Sequence, residues 1–321
     1  MLILNDSMAV TGDIHAHGYP EKKWMPQKKN ISELLDDRFP GLISGVKRVI
    51  EDSEFKYCRG SRSESFLWQH TIYVASMAMK ISYAEFVDPV LPVVTALFHD
   101  CGKFENGKYH DGEKPEEEAG AEIASHLLKE VGFADIHLIK ESLLALYNED
   151  KMDNINTRIV HDSDFLIKFG HMGFANFFEK SVLRGMVIRN SILKAMSKEL
   201  TYAASLEANM FTQSGKKMAQ KKARITISLF QNYLEELRET GISDYEIREM
   251  EVNCCKGPDD IIPLILVLPR FCEHCYTPLT ISFDREKGIK CERLIVNISC
   301  SRCHENSGYD FSFCLPELSA V

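Results

Sequence analysis

The sequence predicts a mainly helical bundle followed by a small β domain held together by metal. Three observations carry this expectation. From Ile31 to about residue 250, apolar residues recur at three- and four-residue steps. Beyond that point, short β-branched and aromatic runs alternate with turn residues. Cysteine is also unevenly placed: of ten in the chain, only Cys58 and Cys101 precede residue 250.

Taken in order, residues 1–30 are rich in glycine, proline and lysine and read as an irregular extension. The segment "ISELLDDRFPGLISGVKRVIEDS" predicts two helices divided near Pro40-Gly41. "SESFLWQHTIYVASMAMKIS" is a helix with Phe66, Ile72, Val74, Met77 and Ile81 among its periodic apolar positions. "PVLPVVTALFHD" is short and apolar, hence buried on most sides. "PEEEAGAEIASHLLKEVG" opens on proline and three glutamates and closes near glycine, the order that suits the helix dipole and a C-terminal stop. "ADIHLIKESLLALYNED", "NTRIVHDSDFLIKFG" and "GKKMAQKKARITISLFQNYLEELRETG" continue the pattern. "PLTISFD", "KCERLIVNIS" and "GYDFSF" then read as strands. The expected organisation is an extension over 1–30, a helical domain over 31–250 and a β domain over 251–321.

The net charge of −9 argues against a general nucleic-acid or membrane binder. No apolar run approaches the ~20 residues of a membrane span, and the start lacks the basic region of a secretory signal. A cytoplasmic location follows as an expectation. In that setting clustered cysteines read as metal ligands rather than disulfides. Cys272-Glu-His-Cys275 and Cys300-Ser-Arg-Cys303 flank a predicted hairpin. Each turn presents two thiolates, and four thiolates at ~2.3 Å complete a closed, structural Zn²⁺ shell. The arrangement resembles a zinc ribbon over roughly Phe271 to Phe313. Its basic residues are balanced by acidic ones, which weakens a nucleic-acid role and leaves a platform for a protein partner, or a cap on the first domain, equally open.

The helical part contains three His-Asp pairs. His110-Asp111 sits in a polar loop and reads as solvated. His161-Asp162 lies on a helix, one turn from Asp164 and Phe165. His99-Asp100 ends an apolar helix, where two polar groups need partners; a metal satisfies both, and a core hydrogen bond satisfies His99 alone. His70 lies on a helix upstream, and Asp164 on a helix downstream.

The order His, His-Asp, Asp on successive helices resembles the HD superfamily of metal-dependent phosphohydrolases. "ALFHDCGKF" looks like its central motif, "EEEAGAEIASHLLKEVG" like the helix that follows and "VHDSDFLIKFGHMGFANFF" like its closing motif. The likeness covers about residues 56–240. It implies an HD-type bundle with His70, His99, Asp100 and Asp164 as ligands of one catalytic divalent ion: Mn, Fe, Co, Ni or Zn. It further implies Asp100 as catalytic, Asp162 as a base or as support for a ligand histidine, and Lys103 as a group that offsets phosphate charge. Two-metal members carry further histidines where this chain has Glu116 and Tyr147, so one metal is expected.

Such an ion lowers the pKa of water and polarises a phosphoryl oxygen. The implied activity is hydrolysis of a phosphate ester, a nucleotide or related phosphorylated metabolite. Arg59, Arg62 and Lys168 are candidate substrate contacts, each set against an ordinary surface role. Two other classes stay open. One is a non-enzymatic adaptor that binds nucleic acid or a protein partner through the ribbon. The other is an HD-type diiron oxygenase, which needs more histidines than align here. "TGDIHAHGY" resembles the opening motif of calcineurin-like metallophosphatases, but the later motifs of that fold are absent and a turn-rich segment is the expectation. Substrate identity and oligomeric state are not written in the sequence.

Overall fold

The computed structural model describes residues 30–57, 64–104, 114–146, 148, 151–183, 195–241, 244–253, 261–272, 274–287, 292–304 and 306–312. Helices come first: α1 (Ile31–Leu35), α2 (Leu42–Tyr57), α3 (Phe66–Ala84), α4 (Val90–Phe98), α5 (Glu116–Glu130), α6 (Ile136–Ala145), α7 (Ile155–Ile167), α8 (Gly170–Leu183), α9 (Ser197–Ser205) and α10 (Gln213–Glu239). Strands follow: β1 (Tyr245–Asn253), β2 (Ile261–Pro269), β3 (Thr280–Lys287), β4 (Glu292–Ser299) and β5 (Asn306–Ser312). The mainly α class with a small antiparallel β part at the C-terminal end is thus the observed one. The expected extension over 1–30, with His15 and His17, lies outside the described residues apart from Asn30, whose side chain caps α1.

Helices α3, α4 and α7 pack on one another and carry the centre of the body. Glu54 of α2 is buried and fixes where α3 begins. Its carboxylate accepts from the Phe66 and Leu67 amides at 3.2 and 3.1 Å and from the Ser65 hydroxyl. Ser65 in turn caps the Trp68 amide at 2.9 Å. These contacts satisfy amides that the first turn of any helix leaves open. Helix α4 carries Pro92 in its first turn, where no intrahelical N–H bond is lost, and all seven residues from Pro92 to Phe98 are buried. After α4 the chain turns beneath the N-terminus of α5. A Cβ on Gly102 would lie 2.2 Å from the Glu116 carbonyl oxygen, so only glycine allows this approach.

Strand β2 explains the apolar run "IIPLILVLP". It pairs with β1 in antiparallel register, Ile247 opposite Val267 and Met250 opposite Leu264. Ile265 and Val267 pack with Phe177, Met196, Leu200, Phe230 and Leu234 of the helical body. Leu264, Leu266 and Leu268 pack with Leu294, Val296 and Ile298 of β4. A strand covered on both faces has no polar alternation to display. Side-chain hydroxyls tie its edge to α9: the Ile265 amide donates to Thr201 Oγ1 at 2.9 Å, and the Val267 amide to Ser197 Oγ at 2.9 Å.

Strand β1 was not evident in the sequence. Tyr245 and Ile247 pack on the helical side and Met250 on the other, so its apolar phase slips by one midway and erases the period of two. β3, β4 and β5 form a separate antiparallel sheet in that order. Among the described residues, no helix is long and apolar enough to cross a membrane.

Candidate metal centre

His70 points from the second turn of α3, His99 caps the C-terminus of α4, Asp100 follows it, and Asp164 lies on α7. All four side chains are buried. The two imidazole Nε2 atoms lie 3.4 Å apart. Asp100 Oδ2 is 3.5 Å from each of them. Asp164 Oδ1 is 3.1 Å from His70 Nε2 and 3.9 Å from His99 Nε2. Two ligands each ~2.1 Å from one ion sit ~3.0 Å apart at right angles and ~3.4 Å apart at the tetrahedral angle. The separations among His70, His99 and Asp100 therefore suit donors converging on a single cation, with Asp164 beside them against His70.

The protonation state suits a metal as well. His99 Nδ1 donates to the Ala96 carbonyl at 2.7 Å, which turns Nε2 toward His70, Asp100 and Asp164. Burial pushes the pKa of His70 down to about 4, against the pull of its hydrogen bond to Asp164 and of the nearby carboxylates. Burial would raise the two carboxyls. For Asp100 the His99, Lys103 and His70 charges outweigh it; for Asp164, Lys168 and His70 do. Both end below the usual carboxylate value. At neutral pH the set thus offers an imidazole lone pair at His70 and two carboxylates, the forms that bind cations.

Cationic side chains line the same place. Lys103 Nζ is 2.9 Å from Asp100 Oδ2, and Lys168 Nζ is 2.8 Å from Asp164 Oδ2. Lys168 also lies 5.1 Å from the centre of the Phe165 ring. Arg62 lies outside the described residues, as do Arg59, His110, Asp111 and Tyr147. His126 and His137 are surface residues, as their helical positions suggest.

One further residue, Lys180 on α8, was missed in the sequence. Burial pushes its pKa down to about 8, and the charges of Lys168 and Lys103 add to that, while Glu199 and Asp164 oppose it. It therefore belongs to the electrostatic surroundings of the centre. The available signal was its position three residues after buried Phe177, on the apolar side of an otherwise phenylalanine-rich helix.

Asp162 requires a correction. The expectation made it a base or a support for a ligand histidine. Two residues along a helix is a rotation of ~200°, so Asp162 and Asp164 face opposite sides of α7. Asp162 Oδ1 accepts from the Phe211 amide at 2.9 Å; Oδ2 accepts from the Thr212 amide at 2.8 Å and the Thr212 hydroxyl at 2.7 Å. Its neighbour His161 stacks on Phe165, ring centres 4.4 Å apart, with Nδ1 3.3 Å from Asp162 Oδ1. The carboxylate anchors the N-terminus of α10 and touches no ligand. A Cβ on Gly215 would lie 2.3 Å from Asp162 Oδ2, which accounts for the glycine there.

The second cluster lies in the strand-rich region. Cys272, Cys275, Cys300 and Cys303 gather as one potential metal-binding group. Cys272 and Cys303 sulfurs are 3.9 Å apart, and those of Cys275 and Cys300 3.5 Å. A tetrahedron of sulfurs at ~2.3 Å from zinc has an edge of ~3.8 Å, whereas a disulfide requires ~2.05 Å. The two turns are alike. The Tyr276 amide donates to the Cys272 carbonyl at 2.8 Å and the His304 amide to the Cys300 carbonyl at 2.9 Å. Tyr276 and His304 take left-handed φ values of 56° and 57°. Hydrogen bonding to Thr277 lowers the pKa of Cys275 to about 6, while its bond to Cys275 pushes Cys303 up to about 12. One sulfur ionises at its neighbour's expense, a conflict that a divalent cation removes.

Comparison with known proteins agrees with this geometry. Residues 67–167, which contain His70, His99, Asp100 and Asp164, match the HD domain family. Over that stretch the chain is similar to HD domains. An HD domain implies a divalent metal, and both side-chain clusters are compatible with one. Similar solved structures include a predicted HD superfamily hydrolase from an uncultured Thermotogales bacterium, at 22% identity over 64% of this chain and 98% of that one, TM-score 0.45. An HD-superfamily hydrolase from Bacillus thuringiensis matches at 21% identity over 63% and 98%, TM-score 0.46. YpgQ of Bacillus subtilis matches at 16% over 61% and 97%, TM-score 0.45. No curated protein matches the chain.

Proposed function

We propose that this protein is a metal-dependent phosphohydrolase acting on a phosphate ester, a nucleotide or related phosphorylated metabolite, with a structural zinc in its cysteine cluster. One observation carries the reading: two imidazole nitrogens and two carboxylates from three helices meet within 3.9 Å of one another's nearest partners, with Lys103 and Lys168 on the carboxylates. His70, His99, Asp100 and Asp164 would hold one divalent ion of the Mn, Fe, Co, Ni or Zn type. When bound, such an ion supplies Lewis acidity toward a phosphoryl oxygen and acidifies water. The chain's own groups do the rest. His99 is held in one tautomer by Ala96. Lys103 and Lys168 supply positive charge where a phosphate would gather negative charge. Asp100 is assigned to the chemistry as a ligand, and no free general base is needed from Asp162.

The four thiols would form a closed site that leaves no position for substrate, so its role is to hold the two turns together. The test is a screen of nucleoside mono-, di- and triphosphates, cyclic dinucleotides and model esters against several metals, with metal analysis alongside. Asp100→Ala is expected to lower hydrolysis by at least ~10³-fold, the scale of losing an essential metal ligand, and to leave zinc bound. Equal turnover in wild type and variant would place the activity elsewhere.

A further inference from the structure

The two lysines at the metal centre look equivalent in sequence, each following an aspartate ligand by three or four positions. Their atoms differ. Lys168 Nζ bonds Asp164 Oδ2, while the oxygen that faces the histidines is Asp164 Oδ1. Lys103 Nζ bonds Asp100 Oδ2, and that same oxygen is the one 3.5 Å from both imidazole Nε2 atoms. Lys168 therefore orients its carboxylate from behind. Lys103 shares the acceptor through which Asp100 would ligate a metal.

We propose that Lys103 is an exchangeable ammonium: it competes with the divalent ion for Asp100 Oδ2, and metal loading transfers it to an anionic group of the substrate. The proposal rests on the metal reading above and adds a coupling to it. An ammonium and a divalent cation on one oxygen repel each other strongly in a buried setting. Lys103 is part-exposed, with a side-chain accessibility of 18%, so a route away from the carboxylate exists. It follows Gly102, whose backbone lies close against the Glu116 carbonyl of α5. An anion that receives the displaced ammonium favours metal binding, and by linkage the metal favours the anion to the same degree. Binding of ion and phosphate thereby becomes mutually reinforcing, with no movement of the backbone.

The test uses the full-length chain carrying its zinc complement, titrated with Mn²⁺, which thiolates bind poorly, so that the signal reports on the histidine and aspartate set. Mn²⁺ affinity is measured by electron paramagnetic resonance, with and without inorganic phosphate. Lys103→Met is expected to bind Mn²⁺ on the order of tenfold more tightly than wild type in the absence of phosphate, within the usual range for coupled sites. Lys168→Met should bind no more tightly than wild type. Phosphate should strengthen Mn²⁺ binding in wild type, and that gain should vanish in Lys103→Met. Lys103→Gln provides a second variant that keeps a polar side chain of similar length. Unchanged or weaker Mn²⁺ binding in both Lys103 variants overturns the proposal. An equal gain in Lys168→Met also overturns it, because that result reports only the loss of a positive charge. Wild type that takes up none of Mn²⁺, Fe²⁺, Co²⁺, Ni²⁺ or Zn²⁺ at this site overturns the metal reading itself, and the proposal with it.

Discussion

The two candidate metal clusters of this chain rest on opposite kinds of support. In the helical body, His70, His99, Asp100 and Asp164 come from three helices that pack through a large apolar core. That core fixes where these side chains meet. In the strand-rich region, four cysteines gather beside a core of six buried residues, three of them from β2. There the metal itself would supply much of the order. The first cluster mixes nitrogen and oxygen donors and carries lysines at its edge. The second is all sulfur. The contrast teaches that a scaffold able to position ligands without metal leaves the metal free for chemistry, whereas ligands that need the metal for their own placement spend it on structure.

The largest expected effect tests the sulfur side. Cys300→Ser should release one equivalent of zinc and loosen β3–β5, since metal-linked folding is worth on the order of 10 kcal/mol in small zinc modules. Limited proteolysis should then cut within β3–β5 while the helical circular dichroism persists. A strand region that stays protease-resistant without metal would erase the contrast.

Next in size is the anchor on α7. Asp162→Ala leaves the Phe211 and Thr212 amides without their acceptor and should cost ~3 kcal/mol in urea unfolding. Loss of hydrolysis with unchanged stability would instead return Asp162 to the chemistry.

The pH response sharpens the helical side. His70 has its pKa lowered from 6.5 to about 4 in the fold. Between those values the unfolded chain binds a proton that the native chain does not. Stability is therefore full above pH ~6.5 and falls as pH drops toward ~4, by about 3 kcal/mol for this group in chelator-treated protein. Urea midpoints across that range measure it, and His70→Gln should flatten the slope. A wild-type midpoint independent of pH there would mean that the scaffold does not hold His70 desolvated.

The smallest effect concerns the knuckles. Tyr276 and His304 sit in left-handed conformations that glycine adopts without steric penalty. Tyr276→Gly is expected to raise the stability of the zinc-loaded strand region by ~1 kcal/mol or less, read as a shift in chelator half-life. Slower metal uptake in that variant would show that the exposed tyrosine ring contributes more than its backbone costs.

Much of the helical site was legible because its chemistry is punctuated locally. His99-Asp100 interrupts a run of apolar residues, Gly102 and Lys103 follow at once, and the paired CxxC turns announce themselves by spacing. Helix periodicity survives in sequence because one face is buried and the other wet. β1 was hidden because its apolar side chains change faces between Ile247 and Met250. Lys180 was hidden because a lysine on an apolar face gives no hint of which other charges it meets.

Residue identity and spacing by themselves determined the helical class, the candidate donors of two clusters and the turns that carry the thiols. Only the tertiary structure decided that Asp162 holds the Phe211 and Thr212 amides, since that depends on what packs against its side of α7. It alone decided that Lys103 and Lys168 bond different kinds of carboxylate oxygen, and that β2 is covered from both sides. Spacing along a chain fixes direction around a local axis, but a contact between distant segments exists only once the core has chosen how those axes cross.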